Sequence, residues 1–554
     1  MNRTIRTKLT HMNSVIVVLV FLSGLCFLPA CAQVLSGQQP VTRADTLRGS
    51  LRPERNAYDV TYYHLNIRVD PVKKYLEGYN DITFRTRNSF DRIQVDLFEN
   101  MQVDSILWEG HSLTWQREYN AVFIDFPETV REGSRGTLRF FYSGSPVTAN
   151  RPPWDGGFVW ETRENGKPWI AVACQGTGAS LWWPNKDHQS EEPDSMLISV
   201  AVPNGLMNVS NGQSRGKELL PDGYTRWDWF VGNPINNYDV SVNIAAYAHF
   251  TDTYEGHTLN YYVLPEHLEK AKEQFGEVPL MLACFEKRFG SYPFWEDGYK
   301  LVETPYLGME HQSAVAYGNE YKMGYRGRDL SGTGVGLKWD FIIIHESAHE
   351  WFGNSITSAD IADMWIHEGF TCYAESVYHE CRWGYEEAMQ YINGLKKNVM
   401  NDEPVIGPYG VNREGSGDMY YKGALMLNTI RHILNDDERW WRILKEYNLK
   451  FRHSIVTAED VIDYFSEASG LDLHPVFDQY LRYTDIPCLE LKRKGDTVRY
   501  RWLADAVRFA MPVDVFIDGK EKRLNPTTEW QSLSIEPDAR FEVAEDQFFV
   551  KLRK

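Results

Sequence analysis

Two histidines separated by three residues stand in the segment HESAH, at residues 345–349. Because four residues along an α-helix return a side chain to nearly the same face, His345 and His349 can present both imidazoles to one metal ion. Neutral imidazoles suit Zn²⁺, and Glu346 lies where it can take the proton of a water at the open side of the ion. The alternative is a helix in which two chance histidines flank a solvated glutamate. The spacing favours a catalytic zinc site, with one ion per chain.

A catalytic zinc site needs a third protein ligand, and Glu368 is the candidate. It follows His349 by nineteen positions and begins the next apolar-periodic segment, so the two predicted helices can face each other across the ion. Asp363 lies in the connection between them. We expect it either to orient a metal ligand from outside the coordination sphere or to cap the second helix.

The elements that must position these residues follow from the apolar periodicity. Alternating runs such as Leu65, Ile67 and Val69, resumed at Ile82 and Phe84, predict a hairpin and an all-β region over 51–250. Helical periodicity dominates after residue 265, with the strongest helices predicted at 337–352, 370–383 and 421–434 and a pair between 458 and 483. Alternation returns from residue 487. The sequence therefore predicts a multidomain α+β protein, with an N-terminal β-sheet domain (51–250), a mixed α/β domain (251–485) and a small C-terminal β-sandwich-like domain (486–554).

Composition indicates a folded chain that is an unsuitable partner for nucleic acid. Of 554 residues, 43% are hydrophobic and 24% charged, which excludes wholesale disorder and a protein with many membrane spans. The net charge of −18 is opposite to what binding a phosphate backbone requires.

The first 32 residues have the order of a secretory signal: basic, then apolar, then small. Cleavage after Ala32 would release a free exported protein, whereas the segment LPAC at 28–31 resembles a bacterial lipobox and would attach lipid to Cys31. We therefore predict a signal peptide (1–32), a flexible linker (33–50) and a periplasmic or extracellular location, with membrane attachment through Cys31 as one alternative.

Five cysteines lie beyond this segment, at positions 174, 284, 372, 381 and 488. An odd number without C-x-x-C spacing is not a disulfide framework. We expect most of them to be buried apolar side chains.

The metal motif in its wider context, HESAHEWFGN at 345–354 followed by WIHEGF at 365–370, resembles the zinc aminopeptidases of the aminopeptidase N and leukotriene hydrolase group, which are gluzincin metallopeptidases. The resemblance covers the chain from about residue 51 onward and is strongest between 308 and 424. It implies a thermolysin-like catalytic domain, and peptides with free N-termini as substrates.

The family's amine-binding motif, usually Gly-x-Met-Glu-Asn, resembles Gly308-Met309-Glu310-His311 here. The resemblance implies that Glu310 binds the α-amino group of the substrate, in a segment that also brings Gly308 and Met309 to the site. His311 stands where the family usually has asparagine.

Two further positions follow from the resemblance. Tyr420, in a segment similar to the family's Tyr-x-Lys-Gly, would hydrogen-bond the developing oxyanion, and Tyr421 replaces the usual glutamate. Gln175 would assist Glu310 with the amino group, although Ala173 replaces the second glutamine of that family segment.

The family usually ends in a long helical domain, which this sequence does not contain after residue 486, so we expect a more open site unless another subunit covers it. His367, beside Glu368, replaces the usual asparagine and is expected to alter the hydrogen bonds around the metal.

Other functions are also compatible with parts of the pattern. A thermolysin-like endopeptidase would need no amine anchor. A catalytically silent zinc-containing peptide-binding protein would be expected to lack Glu346 or Tyr420. Hydrolysis of a lipid epoxide is a side activity of part of the family. The sequence predicts neither the preferred N-terminal residue nor the oligomeric state.

Overall fold

The computed structural model describes residues 40–554. The predicted signal segment, Cys31 and the first part of the predicted linker lie outside the described residues. The linker prediction is wrong at its C-terminal end, because Arg43–Gly49 form helix α1. The Thr42 side chain accepts a hydrogen bond from the Asp45 amide, and the Asp45 carboxylate accepts one from the Thr42 amide. This reciprocal cap starts a helix that polar composition alone did not indicate.

The β-rich region begins after a short helix α2 (Pro53–Asn56). The predicted hairpin is confirmed, since β1 and β2 pair antiparallel with Tyr63 opposite Ile82. It forms the centre of an eight-stranded sheet, in the order β13-β14-β11-β1-β2-β8-β4-β5, which packs with two smaller sheets, β12-β15-β10-β9 and β3-β7-β6. The strands are β1 Tyr58–Asp70, β2 Tyr75–Thr86, β3 Phe90–Asp96, β4 Met101–Trp108, β5 His111–Ser112, β6 Thr114–Glu118, β7 Ala121–Val130, β8 Arg135–Gly144, β9 Gly157–Thr162, β10 Pro168–Ala173, β11 Ser195–Pro203, β12 Met207–Val209, β13 Gln213–Leu219, β14 Tyr224–Val231 and β15 Asn243–Ala245.

The central region combines a five-stranded sheet with a helical layer. The sheet order is β16-β17-β18-β20-β19, and a second, two-stranded sheet joins β21 to β22. The strands are β16 Ala248–Tyr254, β17 His257–Val263, β18 Tyr299–Glu303, β19 Gly308–Met309, β20 Val315–Tyr317, β21 Ile356–Ser358 and β22 Ser454–Val456. The helices are α3 Leu268–Gln274, α4 Val278–Phe289, α5 Phe341–Ala348, α6 Trp365–Trp383, α7 Tyr385–Gly394, α8 Tyr421–Leu434, α9 Asp437–Lys450, α10 Ala458–Ser469 and α11 His474–Leu481.

Helix boundaries differ most from the predictions around the HESAH segment. Helix α8 has the predicted bounds, but α5 is shorter than the predicted 337–352. It begins at Phe341 because the Asp340 side chain accepts a hydrogen bond, 3.0 Å long, from the Ile342 amide. Beyond His349 the chain widens into a π-type turn, in which Gly353 has a φ of +128° that favours glycine. Helices α7 and α9 were not among the predicted helices.

The C-terminal strands form two small sheets, in the orders β27-β24-β23-β29 and β26-β25-β28. Their apolar residues belong to the same core as the central helices, whereas the N-terminal β region has a core of its own. The predicted α+β fold class is confirmed, and the domain boundaries at 250 and 485 stay predictions. These strands are β23 Cys488–Lys494, β24 Thr497–Leu503, β25 Val513–Ile517, β26 Lys520–Leu524, β27 Gln531–Ser534, β28 Phe541–Val543 and β29 Lys551–Arg553.

A disulfide between Cys284 and Cys381 joins α4 to α6, with a Cα–Cα distance of 6.0 Å. For this pair the expectation of buried free thiols is wrong. The two residues are 97 positions apart, so only the packing of the two helices brings them together. Cys174 and Cys372 are buried free thiols, as expected, and Cys488 is partly exposed. Within residues 40–554, no helix combines the length and apolar character needed to cross a bilayer.

Candidate active site

The three predicted metal ligands converge in the structure. His345 lies on α5, His349 at its C-terminal end and Glu368 in the first turn of α6, and all three are buried. Glu368 Oε2 is 3.7 Å from His345 Nε2 and 3.3 Å from His349 Nε2. One ligand atom from each residue lies within 4.8 Å of the other two.

The remaining ring nitrogens have other partners. His345 Nδ1 is 2.7 Å from Glu375 Oε1, and His349 Nδ1 is 3.0 Å from the carbonyl oxygen of Phe352. Because Nδ1 donates in each case, the lone pair of each Nε2 faces Glu368 Oε2. That carboxylate oxygen is buried and has no hydrogen-bond partner among the described residues. A buried oxygen without a partner, facing two imidazole lone pairs, fits a divalent metal with two nitrogen donors and one oxygen donor.

Glu375 was not found from the sequence, although a signal existed. It follows Glu368 by seven residues, so the two carboxylates share one face of α6. Its second oxygen accepts a hydrogen bond from the Tyr391 hydroxyl, 2.6 Å long, which fixes the carboxylate against His345.

Both predicted roles of Asp363 are wrong. Its carboxylate accepts hydrogen bonds from the Tyr409 hydroxyl (2.8 Å) and the Ala458 amide (3.2 Å) and contacts no metal ligand. It does not cap α6 either, because Met364 stands at that position without a side-chain cap. Asp363 instead links the segment between α5 and α6 to the start of α10. The residue that contacts a candidate metal ligand, His345, is Glu375.

A cavity of about 530 Å³ opens over the metal ligands. Glu346 lines it, and burial raises the pKa of this carboxyl to about 7. Gly308 lies directly opposite, on β19: a Cβ at this position would be 2.7 Å from Glu346 Oε1, so only glycine leaves room for the carboxylate. Met309 lines the same wall.

Glu310 is buried and lines this cavity with Glu346. Its Oε1 accepts a hydrogen bond, 3.1 Å long, from the hydroxyl of Tyr238, a residue of the N-terminal β region that the sequence did not single out. Its carbonyl oxygen accepts a second one, 2.7 Å long, from Asn354 Nδ2. Burial raises the pKa of the Glu310 carboxyl.

Gln175 and Tyr420 both line the cavity. Gln175 Nε2 donates to Glu368 Oε1 over 2.9 Å, so its contact within the protein is with the third candidate metal ligand. Its predicted role at the substrate's amino group stays a prediction. Tyr420 precedes α8, and its ring centroid is 6.3 Å from that of His345. Tyr421 also lines the cavity. Ala173 is buried and does not line the cavity.

The two histidine replacements lie behind the cavity. His311 is fully buried, neither ring nitrogen has a hydrogen-bond partner among the described residues, and burial lowers its pKa to about 3. His367 Nε2 accepts a hydrogen bond of 2.8 Å from the Ser358 amide, and burial likewise lowers its pKa to about 3. His367 therefore anchors β21, and neither residue lines the cavity.

Comparisons with known proteins agree with this geometry. Aminopeptidase B of Rattus norvegicus is 27% identical over 412 residues, covering 68% of this chain and 58% of the relative. Glutamyl aminopeptidase of Homo sapiens is 24% identical over 366 residues, covering 62% of this chain and 37% of the relative. The chain thus spans little more than half the length of the aminopeptidase B relatives that it matches.

An M1 zinc metallopeptidase from Deinococcus radiodurans has the same fold, with a TM-score of 0.64 at 21% identity, over 78% of this chain and 94% of that one. The family model described as the Peptidase family M1 domain matches residues 280–480, which contain all three candidate metal ligands. Residues 280–480 are therefore similar to the Peptidase family M1 domain.

Proposed function

We propose that this protein is a zinc-dependent aminopeptidase that hydrolyses the N-terminal residue from peptides. One observation carries the proposal: a single cavity is lined by the three candidate metal ligands, a free carboxylate beside them and a second buried carboxylate suited to an ammonium group. The names of the relatives and the M1 domain support this function. One form of the Deinococcus radiodurans protein is described as bound to the peptide Tyr-Ser-Ala.

We assign His345, His349 and Glu368 as the zinc ligands. Zinc bound there would supply a Lewis acid that polarises the scissile carbonyl and the attacking water. A second possible group, Glu310 with Glu346 and His349, shares His349 with the first. Because His349 Nδ1 already donates to a carbonyl oxygen, this imidazole has one lone pair to offer, and we propose one zinc per chain.

Glu346 is assigned as the general base. Its buried carboxylate is placed beside the candidate metal ligands, where it can accept the proton of the attacking water and then deliver it to the leaving amine. The Tyr420 hydroxyl is assigned as the donor to the developing oxyanion, since it lies in the same cavity beside His345.

Glu310 is assigned as the anchor for the free N-terminus. A buried carboxylate pairs with an ammonium group and rejects a blocked amine, because an acetylated nitrogen leaves the charge unpaired. Gly308 and Met309 form the adjoining wall. Gln175 lines the same cavity and is bonded to Glu368, and we assign it to assist Glu310 with the amino group.

The amine anchor separates this proposal from a thermolysin-like endopeptidase. To test this difference, we would measure the zinc content of the wild type and of Glu310→Gln. We would then compare the rates at which the two proteins cleave alanine p-nitroanilide and its N-acetyl derivative. We expect cleavage of the free amine only, and a large loss in the variant at unchanged zinc content. Cleavage of the acetylated compound would favour an endopeptidase, and bound zinc without any cleavage would favour a binding protein.

We further propose that the protein is exported to the periplasm or the cell exterior. The pattern of residues 1–32 supports this, and so does the Cys284–Cys381 disulfide, which is typical of oxidising compartments. Mass spectrometry of the mature N-terminus tests it. A chain starting at Gln33 would indicate the free form and a lipid-modified Cys31 the anchored form, whereas an uncleaved N-terminus in the cytosol would refute export.

A further inference from the structure

One side of the C-terminal sheet is strongly basic, in a chain whose net charge is −18. Residues opposite each other on neighbouring strands point to the same side of a sheet, so the register identifies this side. Lys492 on β23 lies opposite Arg499 on β24, and Glu490 on β23 lies opposite Arg553 on β29. Each of the three strands places two cations on this side. We call the six residues the basic face: Lys492 and Lys494, Arg499 and Arg501, and Lys551 and Arg553.

The other side of the same strands packs in the core. Leu489, Leu491 and Trp502 alternate with residues of the outward side and are buried. This alternation fixes the cations on the outside, because a shift of the register by one residue would bury them. Within the basic face, Arg501 is partly buried and the other five side chains are exposed. The fold therefore presents these charges together on one surface.

Few carboxylates neutralise the basic face. At the outward positions of β23, β24 and β29 the one acidic residue is Glu490, which lies 2.8 Å from Arg501 Nε and 3.3 Å from Lys492 Nζ. Asp485, just before β23, pairs with Lys551 over 2.8 Å. The remaining cations have no ion pair among residues 40–554: Lys494, Arg499 and Arg553. Six cations against two carboxylates leave an excess of positive charge on this surface.

Trp530 lies against the basic face. Its ring centroid is 4.6 Å from Lys492 Nζ and from Arg501 Cζ, and 4.8 Å from Arg499 Cζ. The attraction between the indole and the cations helps to hold these side chains in place. The indole is itself partly exposed. Tryptophan beside lysine and arginine is a combination typical of surfaces that contact the headgroups of a bilayer.

The dimensions of the basic face indicate which kind of anionic partner it fits. Along the strands the cations extend from the position of Cys488, which lies opposite Lys551, to that of Lys494. At about 3.3 Å per residue this length is about 20 Å, and three strands about 4.8 Å apart give a width of about 10 Å. A linear polyanion would contact one row of these cations at a time. A layer of anionic headgroups can contact all six at once.

We propose that the basic face binds the surface of a lipid bilayer that contains anionic lipids. Each lysine or arginine close to such a surface adds to the attraction, which falls off within a Debye length. The acidic remainder of the chain is repelled by the same surface. This repulsion is screened beyond about 10 Å at 0.1 M salt, so the basic face dominates when it points toward the bilayer. Binding of this kind is independent of the proposed peptidase activity.

Co-sedimentation with vesicles tests the proposal. Vesicles of phosphatidylcholine, with and without phosphatidylglycerol, are mixed with the zinc-loaded protein, and the bound fraction gives the affinity. All proteins carry Cys31→Ser, so that no lipid attached to this residue contributes. The basic-face variant removes the three cations without an ion pair: Lys494→Gln, Arg499→Gln and Arg553→Gln. The control variant makes the same change of net charge at three exposed cations that also have no ion pair among residues 40–554: Lys74→Gln, Arg135→Gln and Lys270→Gln.

We expect the parent protein and the control variant to bind vesicles with phosphatidylglycerol about tenfold or more tightly than vesicles without it. The basic-face variant should lose most of this preference at an unchanged unfolding temperature, since the replaced side chains are exposed. Raising the salt concentration to about 0.5 M should release the parent protein.

Equal affinity of the parent protein for the two kinds of vesicle, or no binding to either, would overturn the proposal. A preference that persists in the basic-face variant, or that the control variant loses to the same extent, would overturn it as well. Dextran sulfate is the probe for a linear polyanion. Binding of dextran sulfate without binding of vesicles would assign the basic face to a polysaccharide and would also refute the bilayer.

Discussion

At the scale of single residues, the proposed mechanism assigns metal binding and proton transfer to different side chains. His345, His349 and Glu368 face one point with their free donor atoms, while Glu346 projects into the cavity beside them. Substitutions at the two kinds of residue should therefore have separable effects.

Glu346→Gln should keep the zinc and lose most of the turnover. Removing a general base costs about 10²–10⁴-fold in rate, and the glutamine keeps the volume of the side chain. His349→Ala should instead lose the metal, because two ligands remain. Zinc content by plasma mass spectrometry, measured with kcat, checks both variants. Equal zinc occupancy in the two proteins would contradict this division of roles.

Glu375 should control how tightly the metal binds. Its hydrogen bond orients the His345 ring, so Glu375→Gln is expected to weaken zinc binding by about 10- to 100-fold. Competition with a chromogenic chelator measures the zinc dissociation constant directly and does not depend on turnover. An unchanged constant would mean that the contact does not orient His345.

At the scale of elements, helix α6 organises the site. One face carries Glu368, Cys372 and Glu375, and its far end carries the disulfide to α4. Helix α8, which follows Tyr420, crosses α6 where Gly423 faces Gly369. These two glycines set the distance between the helix that carries Glu368 and the one preceded by Tyr420.

Gly423→Ala should therefore disturb catalysis without changing any polar group. The added Cβ would be 2.9 Å from the Gly369 Cα, so the helices must separate. We expect a loss of stability of about 1–3 kcal/mol and a several-fold lower kcat. Thermal unfolding and steady-state kinetics check this result. Gly276→Ala, whose Cβ would meet nothing within 4 Å, is the control, and equal behaviour of the two variants would contradict the account.

The disulfide should stabilise the packing of α4 against α6. It closes a long loop, since its cysteines are 97 residues apart, and replacing both by serine is expected to cost about 2–5 kcal/mol of unfolding free energy. Urea denaturation of the wild type and the double variant measures this difference. Coincident urea midpoints would show that the bond contributes nothing to stability.

At the scale of the whole molecule, the site is assembled from distant parts of the chain. Gln175 and Tyr238 come from the N-terminal β region, Glu310 follows β19 and the metal ligands come from the helical layer. The β region thus supplies side chains to the cavity in addition to packing against the central region.

Tyr238→Phe tests this contribution. The variant loses only the hydroxyl that donates to Glu310, and a hydrogen bond to a charged group is typically worth enough to raise KM about tenfold. We expect kcat to change little. Kinetics on alanine and N-acetyl-alanine anilides check the result, and an unchanged KM would show that Tyr238 does not support the amine site.

The sequence predicted what depends on local spacing and missed what depends on packing. His345 and His349 follow from helical geometry, and the β1–β2 hairpin follows from alternation. Glu368 was predicted from its position nineteen residues after His349, and Glu310 was predicted only from the family resemblance. Asp363 was predicted to orient a metal ligand, but the residue that contacts His345 is Glu375, which meets the histidine only when α5 packs on α6. Tyr238 and the disulfide likewise depend on contacts between elements far apart in the chain.

The most direct test of the central proposal uses a mixed peptide pool, in which each peptide is present with a free and an acetylated N-terminus. Products are identified by mass spectrometry with and without a zinc chelator, and again after zinc is restored. The account predicts stepwise loss of single residues from free N-termini only, abolished by the chelator and recovered with zinc. Internal cleavage of free and acetylated peptides alike would contradict it.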